Sequence, residues 1–324
     1  MGVIARYRDR LPVGPKTPEL SLGEGSTPLI RSTRVGDALG VELWFKFEGM
    51  NPTGSFKDRG MAVAVAKAVE DGATGIVCAS TGNTAASASA YAAHAGLTAV
   101  VLCPAGGVAA AKVAQSRAVG ARFLEVRGSF DDALRSCQEL AGRGDFALVN
   151  SVNPFRIEGQ KTAAFEIDEE LGRAPDVLAL PYGGGGNTTA YAKGFAEDGV
   201  RPRMVCAQAA KRATTLASAI RIVEPAHAQE VGALVGEGTA EVVTVSDEDI
   251  TRMWLEVAGE GLFCEPASAA GLAALAQVDL VPGTTVVCVL TGHGLKDTAA
   301  VDVLTAAATI VDPTVEAILA EVSR

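Results

Sequence analysis

Short apolar runs alternate with longer alanine-rich stretches along almost the whole chain. The runs at 75–79, 98–103, 121–126, 146–150, 176–181, 203–208, 241–245 and 284–290 are dominated by Val, Leu and Ile. Such nearly continuous apolar segments predict strands covered on both faces, as in parallel sheets. Residues 41–48 (VELWFKFE) alternate apolar and polar and predict one more strand. Between these runs, 61–69, 84–95, 130–141 and 162–171 carry helical spacing. Strand and helix in regular alternation over this length predict an α/β chain of two three-layer lobes with largely parallel sheets. In such sheets ligands sit beyond the carboxyl ends of the strands, so the loops after the strands are where chemistry is sought.

Composition narrows the class. Of 324 residues, 48% are hydrophobic and 20% charged, enough for more than one core. The net charge is −10 and no basic run is long enough to track a phosphate backbone, so nucleic acid is not an expected partner. No apolar stretch is long and clean enough to span a bilayer. The first residues, MGVIARYRDRLPVG, lack the apolar centre of a signal peptide. Cys78, Cys103, Cys137, Cys206, Cys264 and Cys288 are scattered without a CxxC pair and read as buried thiols. The three histidines have no ligand spacing, so no metal is expected. An acidic cytoplasmic enzyme acting on a small molecule is the expectation.

The most informative stretch is 51–60, NPTGSFKDRG. It sets Lys57 after a Pro-Thr-Gly turn, between the alternating strand and a helical run. A lysine held at such a junction and partly desolvated suits Schiff-base chemistry, which needs the neutral amine. The alternative is a solvated lysine at a helix start, although a cation is disfavoured at that end of the helix dipole.

Four loops after strands are rich in glycine and small polar residues. In STGNT, Ser80, Thr81, Asn83 and Thr84 could bind a carboxylate at a helix N-terminus, or merely cap the helix. In YGGGGN, Gly183, Gly184, Gly185, Gly186 and Asn187 form a run too costly in backbone entropy for an ordinary turn, and suited to a phosphate. The GxGxxG spacing of a dinucleotide fold fails there, because Thr188 stands at the third glycine position. In NSVNPFRIEGQKT, Asn150, Ser151, Asn153 and Arg156 could converge on an anion; otherwise the segment is a capped helix start with a surface Arg156–Glu158 pair. In LTGHGLKD, Thr291 ends the last strand and could offer its hydroxyl to a ring nitrogen. Together these are the parts needed to hold pyridoxal phosphate.

The motifs LGEGSTPLI, NPTGSFKDRGM, CASTGNTAAS, NSVNPFRIEGQKTAAFEI, FCEPASAA and LTGHGLKD cover nearly the whole chain. They resemble those of the tryptophan-synthase-β family of pyridoxal-phosphate enzymes (fold type II), and within it the threonine synthases. The resemblance implies pyridoxal 5'-phosphate as cofactor, carried on Lys57. Asn83 would face its phenolic oxygen, Gly183 to Asn187 its phosphate and Thr291 its pyridine nitrogen. Ser80, Thr81 and Thr84 would bind the substrate, with Asn150, Ser151 and Arg156 on the phosphate of O-phosphohomoserine. The implied reaction removes protons at Cα and Cβ, expels the γ-phosphate, adds water at Cβ and yields threonine. The implied architecture is a large cofactor-binding domain from 1–60 and 151–324, a small domain from 61–150, and an active site in the cleft between them. A homodimer without an allosteric N-terminal domain is expected.

Two features depart from that pattern. GGGGN is closer to the phosphate loop of serine and threonine dehydratases than to the Asn-Ala-Gly-Asn type of threonine synthases. The segment 211–231 keeps SAIRI but is shorter around it. A paralogous lyase, dehydratase-like or acting on a related phosphorylated or phosphonate amino acid, is therefore the alternative expectation.

Overall fold

The apolar runs assemble into two sheets in the computed structural model, which describes residues 1–106, 110–306 and 308–322. Its strands are β1 (Leu29–Arg31), β2 (Glu42–Phe47), β3 (Gly75–Ala79), β4 (Thr98–Pro104), β5 (Arg122–Val126), β6 (Phe146–Leu148), β7 (Val177–Pro181), β8 (Arg203–Ala209), β9 (Ala240–Val245) and β10 (Thr285–Leu290). The larger sheet has the order β1-β2-β10-β7-β8-β9 and the smaller the order β5-β4-β3-β6. Every pairing is parallel except β1 with β2. The short β1 lies within LGEGSTPLIR, where turn residues mask any strand pattern.

Period-two alternation delivers each strand to two cores. On β3, Ile76 and Cys78 face the helices Lys57–Glu70 and Asn83–His94, while Val77 and Ala79 face the helix Phe130–Ala141. On β10, Val286, Cys288 and Leu290 join Ile250, Trp254 and Leu272, whereas Val287 and Val289 join Ala164, Ile167 and Phe195 on the other face. Both sheets are thus covered on both sides, the three-layer arrangement expected of the apolar runs. All six cysteines are buried and unpaired.

The polar half of β2 behaves differently from its pattern. Lys46 is fully buried rather than solvated, and its ammonium donates to Thr27 O at 2.7 Å and Glu170 at 2.7 Å beside Glu166 at 3.0 Å. Arg59 lies equally deep, between Glu48 (2.7 Å) and Glu166 (2.6 Å), with Thr27 Oγ1 at 3.0 Å. This network ties LGEGSTPLI, the end of β2 and the helix Pro154–Leu171 to the helix that begins at Lys57. Both cations are paired and hydrogen-bonded, the condition for burying charge without a large penalty.

Two glycines set how closely those two helices cross. A Cβ on Gly60 would stand 2.4 Å from Arg156 O, and one on Gly159 would stand 2.1 Å from Arg59 O. The backbones touch there because neither helix has a side chain at the crossing. Their N-termini, with Lys57 and Arg156, are therefore brought together.

Candidate active site

Lys57 is the first residue of its helix and only partly accessible. The turn before it is locked by Asp58, which accepts from Thr53 N and Thr53 Oγ1, each at 2.6 Å. The chain leaving β10 runs antiparallel to this turn: Phe56 N donates to Thr291 O at 3.1 Å and His293 N to Gly54 O at 2.9 Å. LTGHG and NPTGSFK, distant in sequence, thus form one wall, with Thr291 and Lys57 on adjoining segments. The Lys57 Nζ stands 4.0 Å from the centre of the Phe56 ring. Burial, and secondly the Arg156 guanidinium, bring its pKa down to about 7, with Glu265 pulling the other way. An amine so placed is substantially neutral near pH 7, the form that attacks a carbonyl or accepts a proton.

STGNT turns from β3 into the helix Asn83–His94. Ser80 Oγ accepts from Gly82 N (3.2 Å) and Ala85 N (3.3 Å), which is the capping role, while Thr81 and Thr84 lie half-buried alongside. Asn83 Nδ2 reaches both carboxyl oxygens of Glu265 at 3.1 Å. Thr291 is buried, with Oγ1 3.0 Å from Ser268 Oγ and 3.5 Å from Glu265 Oε1. Glu265 and Ser268, both within FCEPASAA, carry no role that the sequence makes legible. The spacing carries no cue, since a glutamate before Pro-Ala-Ser reads as a loop residue until the fold sets it between two other loops.

Arg156 is not the surface partner of Glu158. It is 0% exposed, and Glu158 is taken by Lys161 and Lys193. Arg156 Nη1 donates to Val149 O at 2.9 Å, while Nε and Nη2 are buried with no hydrogen-bond partner. Burial lowers its pKa to about 10. A buried guanidinium that closes no ion pair is costly; only Asp58 among the carboxylates acts on it, at longer range, and it lies close enough to act on Lys57.

The neighbours of Arg156 divide by use. Asn150 exchanges two hydrogen bonds with the backbone of Ala79 (3.0 and 2.9 Å), extending β6 against β3 and holding the start of STGNT. Asn153 caps the helix through Phe155 N at 2.9 Å and clasps Leu148 O at 2.8 Å. Ser151 presents its carbonyl to His227 Nε2 at 3.0 Å.

The tetraglycine turn follows β7 and starts the helix Gly186–Glu197. Gly185 has φ +86°, which an L side chain rarely adopts, and a Cβ there would stand 3.0 Å from His227 Cβ. Gly183 is packed by Ile220 at 3.2 Å. The segment Ile220–His227 therefore backs the turn, which accounts for part of the glycine run by packing alone. The first turn of the helix has N–H groups with no intrahelical acceptor, and Asn187 Nδ2 beside it is buried without a partner. This donor set, a Cβ-free turn, a helix N-terminus and an unsatisfied amide, fits a phosphate. With a near-neutral lysine, an amide and a buried hydroxyl on the facing loops, the residues present fit pyridoxal phosphate. Among the described residues no cluster suited to a metal ion occurs, and no helix is long and apolar enough to cross a membrane.

A family model described as pyridoxal-phosphate dependent enzyme matches residues 20–292. The chain is 47% identical over 317 residues to the threonine synthase of Halalkalibacterium halodurans, covering 91% of this chain and 90% of that one. It is 48% identical over 340 residues to the threonine synthase of Mycobacterium tuberculosis, covering 96% and 94%. With that of Synechocystis the identity is 49% over 318 residues, covering 91% and 83%. Among solved structures, maize serine racemase superposes with a TM-score of 0.77 at 21% identity, covering 92% of this chain and 94% of that one. The processed threonine deaminase isoform 2 of Solanum lycopersicum gives 0.76 at 21% identity, covering 86% and 82%. At such identities these structures speak for the fold alone.

Proposed function

The chain belongs to the pyridoxal-phosphate dependent enzymes, and within that family we propose that it is a threonine synthase, a lyase that converts O-phospho-L-homoserine and water to L-threonine and phosphate. The observation that carries the substrate is the fully buried guanidinium of Arg156 beside Lys57, which closes no ion pair among the described residues and keeps two nitrogens without a hydrogen-bond partner. A dehydratase acting on serine or threonine has no γ-phosphate and no use for such a cation. The tetraglycine turn, which suggests that alternative, is accounted for in part, at Gly183 and Gly185, by the packing of Ile220–His227 against it.

When bound, pyridoxal 5'-phosphate supplies the electron sink for negative charge developing on the substrate carbons. In this reading Lys57 carries it, Asn83 faces its phenolic oxygen, Gly183, Gly184, Gly185, Gly186 and Asn187 hold its phosphate, and Thr291 faces its ring nitrogen. Lys57, near-neutral at working pH, takes protons from the substrate and returns them. Ser80, Thr81 and Thr84, at the start of the helix Asn83–His94, bind the substrate carboxylate. Arg156 with Ser151 and the second N–H of Asn150 hold the substrate phosphate and stabilise its charge as it leaves.

We also propose a lobe division of 1–60 with 151–324 against 61–150, supported by the division of the strands between two sheets. We further propose a cytoplasmic homodimer, to be checked by sedimentation; six unpaired cysteines suit a reducing compartment. Phosphate and threonine release from O-phosphohomoserine, beside serine, threonine and O-acetylserine as competitors, tests the reaction. Turnover confined to serine or threonine would replace this reading with the dehydratase.

A further inference from the structure

Glu265 is a buried titratable group that the proposed reaction leaves without a task. It lies where three loops meet: STGNT through Asn83, the chain leaving β10 through Thr291, and its own segment through the bond from Glu265 N to Gly292 O at 2.9 Å. Gly292 admits it, because a Cβ there would stand 2.4 Å from Glu265 Oε1. Its oxygens face the two side chains assigned to the phenolic oxygen and the ring nitrogen of the cofactor, Asn83 on both and Thr291 on Oε1.

The charge on Glu265 decides which hydrogens Thr291 can offer. Ser268 Oγ accepts from Gly292 N at 3.1 Å, and its own hydrogen has two acceptors in reach, Gly292 O at 3.4 Å and, nearer, Thr291 Oγ1 at 3.0 Å. An ionised Glu265 can only accept, so the Thr291 hydrogen would turn to Oε1 and a lone pair would be left for any ring nitrogen. A neutral Glu265 can reverse that contact, 3.5 Å long, and donate to Thr291. Thr291 then accepts from both Ser268 and Glu265 and has only its own hydrogen left to offer.

The surroundings favour the neutral form. Glu48 and Glu166, buried to the same degree, both close ion pairs with Arg59. Glu265 forms none within 4.0 Å among the described residues; it meets an amide and a hydroxyl. The charged groups around it are Lys57, Lys296 and Asp297. Lys296 donates instead to Thr53 O at 3.0 Å and Gln115 Oε1 at 2.6 Å. Burial outweighs Asn83 and the lysines and moves the carboxyl pKa upward, with Asp297 acting in the same direction as burial.

We infer that Glu265 is a positioning residue that works as a neutral acid: it donates to Thr291, so that Thr291 donates to an unprotonated ring nitrogen, and it accepts one Asn83 N–H, so that the other faces the phenolic oxygen. The inference rests on the proposed placement of Asn83 and Thr291 against the cofactor.

The test uses the holoenzyme loaded with cofactor carrying ¹⁵N in the ring, read by NMR, with infrared difference spectra between wild type and Glu265→Gln. A protonated-carboxyl band that disappears in Glu265→Gln is expected. Glutamine donates and accepts as the neutral acid does, so Glu265→Gln should keep the ring-nitrogen shift and bind cofactor within about three-fold of wild type. Glu265→Leu should move that shift and weaken cofactor binding about ten-fold, the scale of one lost hydrogen bond. A carboxylate band in wild type, or a shift in Glu265→Gln as large as in Glu265→Leu, overturns the inference; the infrared comparison stands even if Glu265→Leu does not fold. Thr291→Val separates the levels. If it leaves the ring-nitrogen signal in place, the placement of Thr291 fails. If it moves that signal while Glu265 is ionised, the inference alone fails.

Discussion

Replacing Arg156 by leucine should lower activity and leave stability intact, a pairing that a purely structural arginine would not give. In the wild type two guanidinium nitrogens are buried with no partner and one donates to Val149 O at 2.9 Å. Each unsatisfied buried polar group costs about 1–3 kcal/mol, and a charged one more. Arg156→Leu removes that penalty and the repulsion of Lys57, but orphans the Val149 carbonyl. The penalty removed is at least as large as the one created, so unfolding should be unchanged or harder by up to about 2 kcal/mol. For the reaction, losing a hydrogen bond to a charged group costs about 1.5–3 kcal/mol, or roughly ten- to a hundred-fold in kcat/KM for O-phosphohomoserine. The lysine should respond as well: burial is the main cause of its pKa near 7, the guanidinium adds to it, and the variant should titrate higher. In the holoenzyme, inorganic phosphate at a hundred times its Kd should stabilise wild type by about 2.7 kcal/mol and the variant far less. Denaturant unfolding with and without phosphate, beside phosphate-release kinetics, reads all of this. Full activity with an equal response to phosphate would falsify the assignment of Arg156.

Lys57→Ala should fold and bind cofactor non-covalently, with no borohydride-trapped adduct; in wild type, covalent loading should accelerate as pH rises through about 7, because the neutral amine is the reactive form. Gly159→Ala should destabilise by about 1–3 kcal/mol or more, since its Cβ would stand 2.1 Å from a backbone oxygen that can retreat only by separating two helices, and KM for the phosphorylated substrate should rise with it. Asp168 has its pKa raised to about 6 by burial and by Asp198, so the folded state binds its proton more tightly than the unfolded chain does. Stability should therefore be greatest below about pH 4 with respect to this group and fall as pH rises through 6; Asp168→Asn should flatten that slope in thermal melts, and an unaltered slope would show that the two aspartates are not coupled.

The apolar runs by themselves determined the α/β class. Most strands lie within a residue or two of where alternation and β-branched content put them, because local burial on two faces is written into adjacent residues. Strand β1 was hidden, since three residues among turn formers carry no period. The loops that hold Lys57, Asn83, the four glycines and Thr291 were also visible, because glycine runs and small hydroxyl clusters after strands are locally improbable. Charge was the least legible property. Lys46 reads as the wet side of a strand and Arg156 as half of a surface pair, yet both are buried, one in ion pairs and the other bonded only to a backbone carbonyl. Sequence spacing records which residues are near in the chain, whereas desolvation depends on what is laid over them. Glu265 is the extreme case. Its carboxyl meets an amide and a hydroxyl from two loops that lie 182 and 26 residues away in sequence. Only the closure of the fold could bring those groups together, and burial there, rather than the residue type, moves its pKa upward.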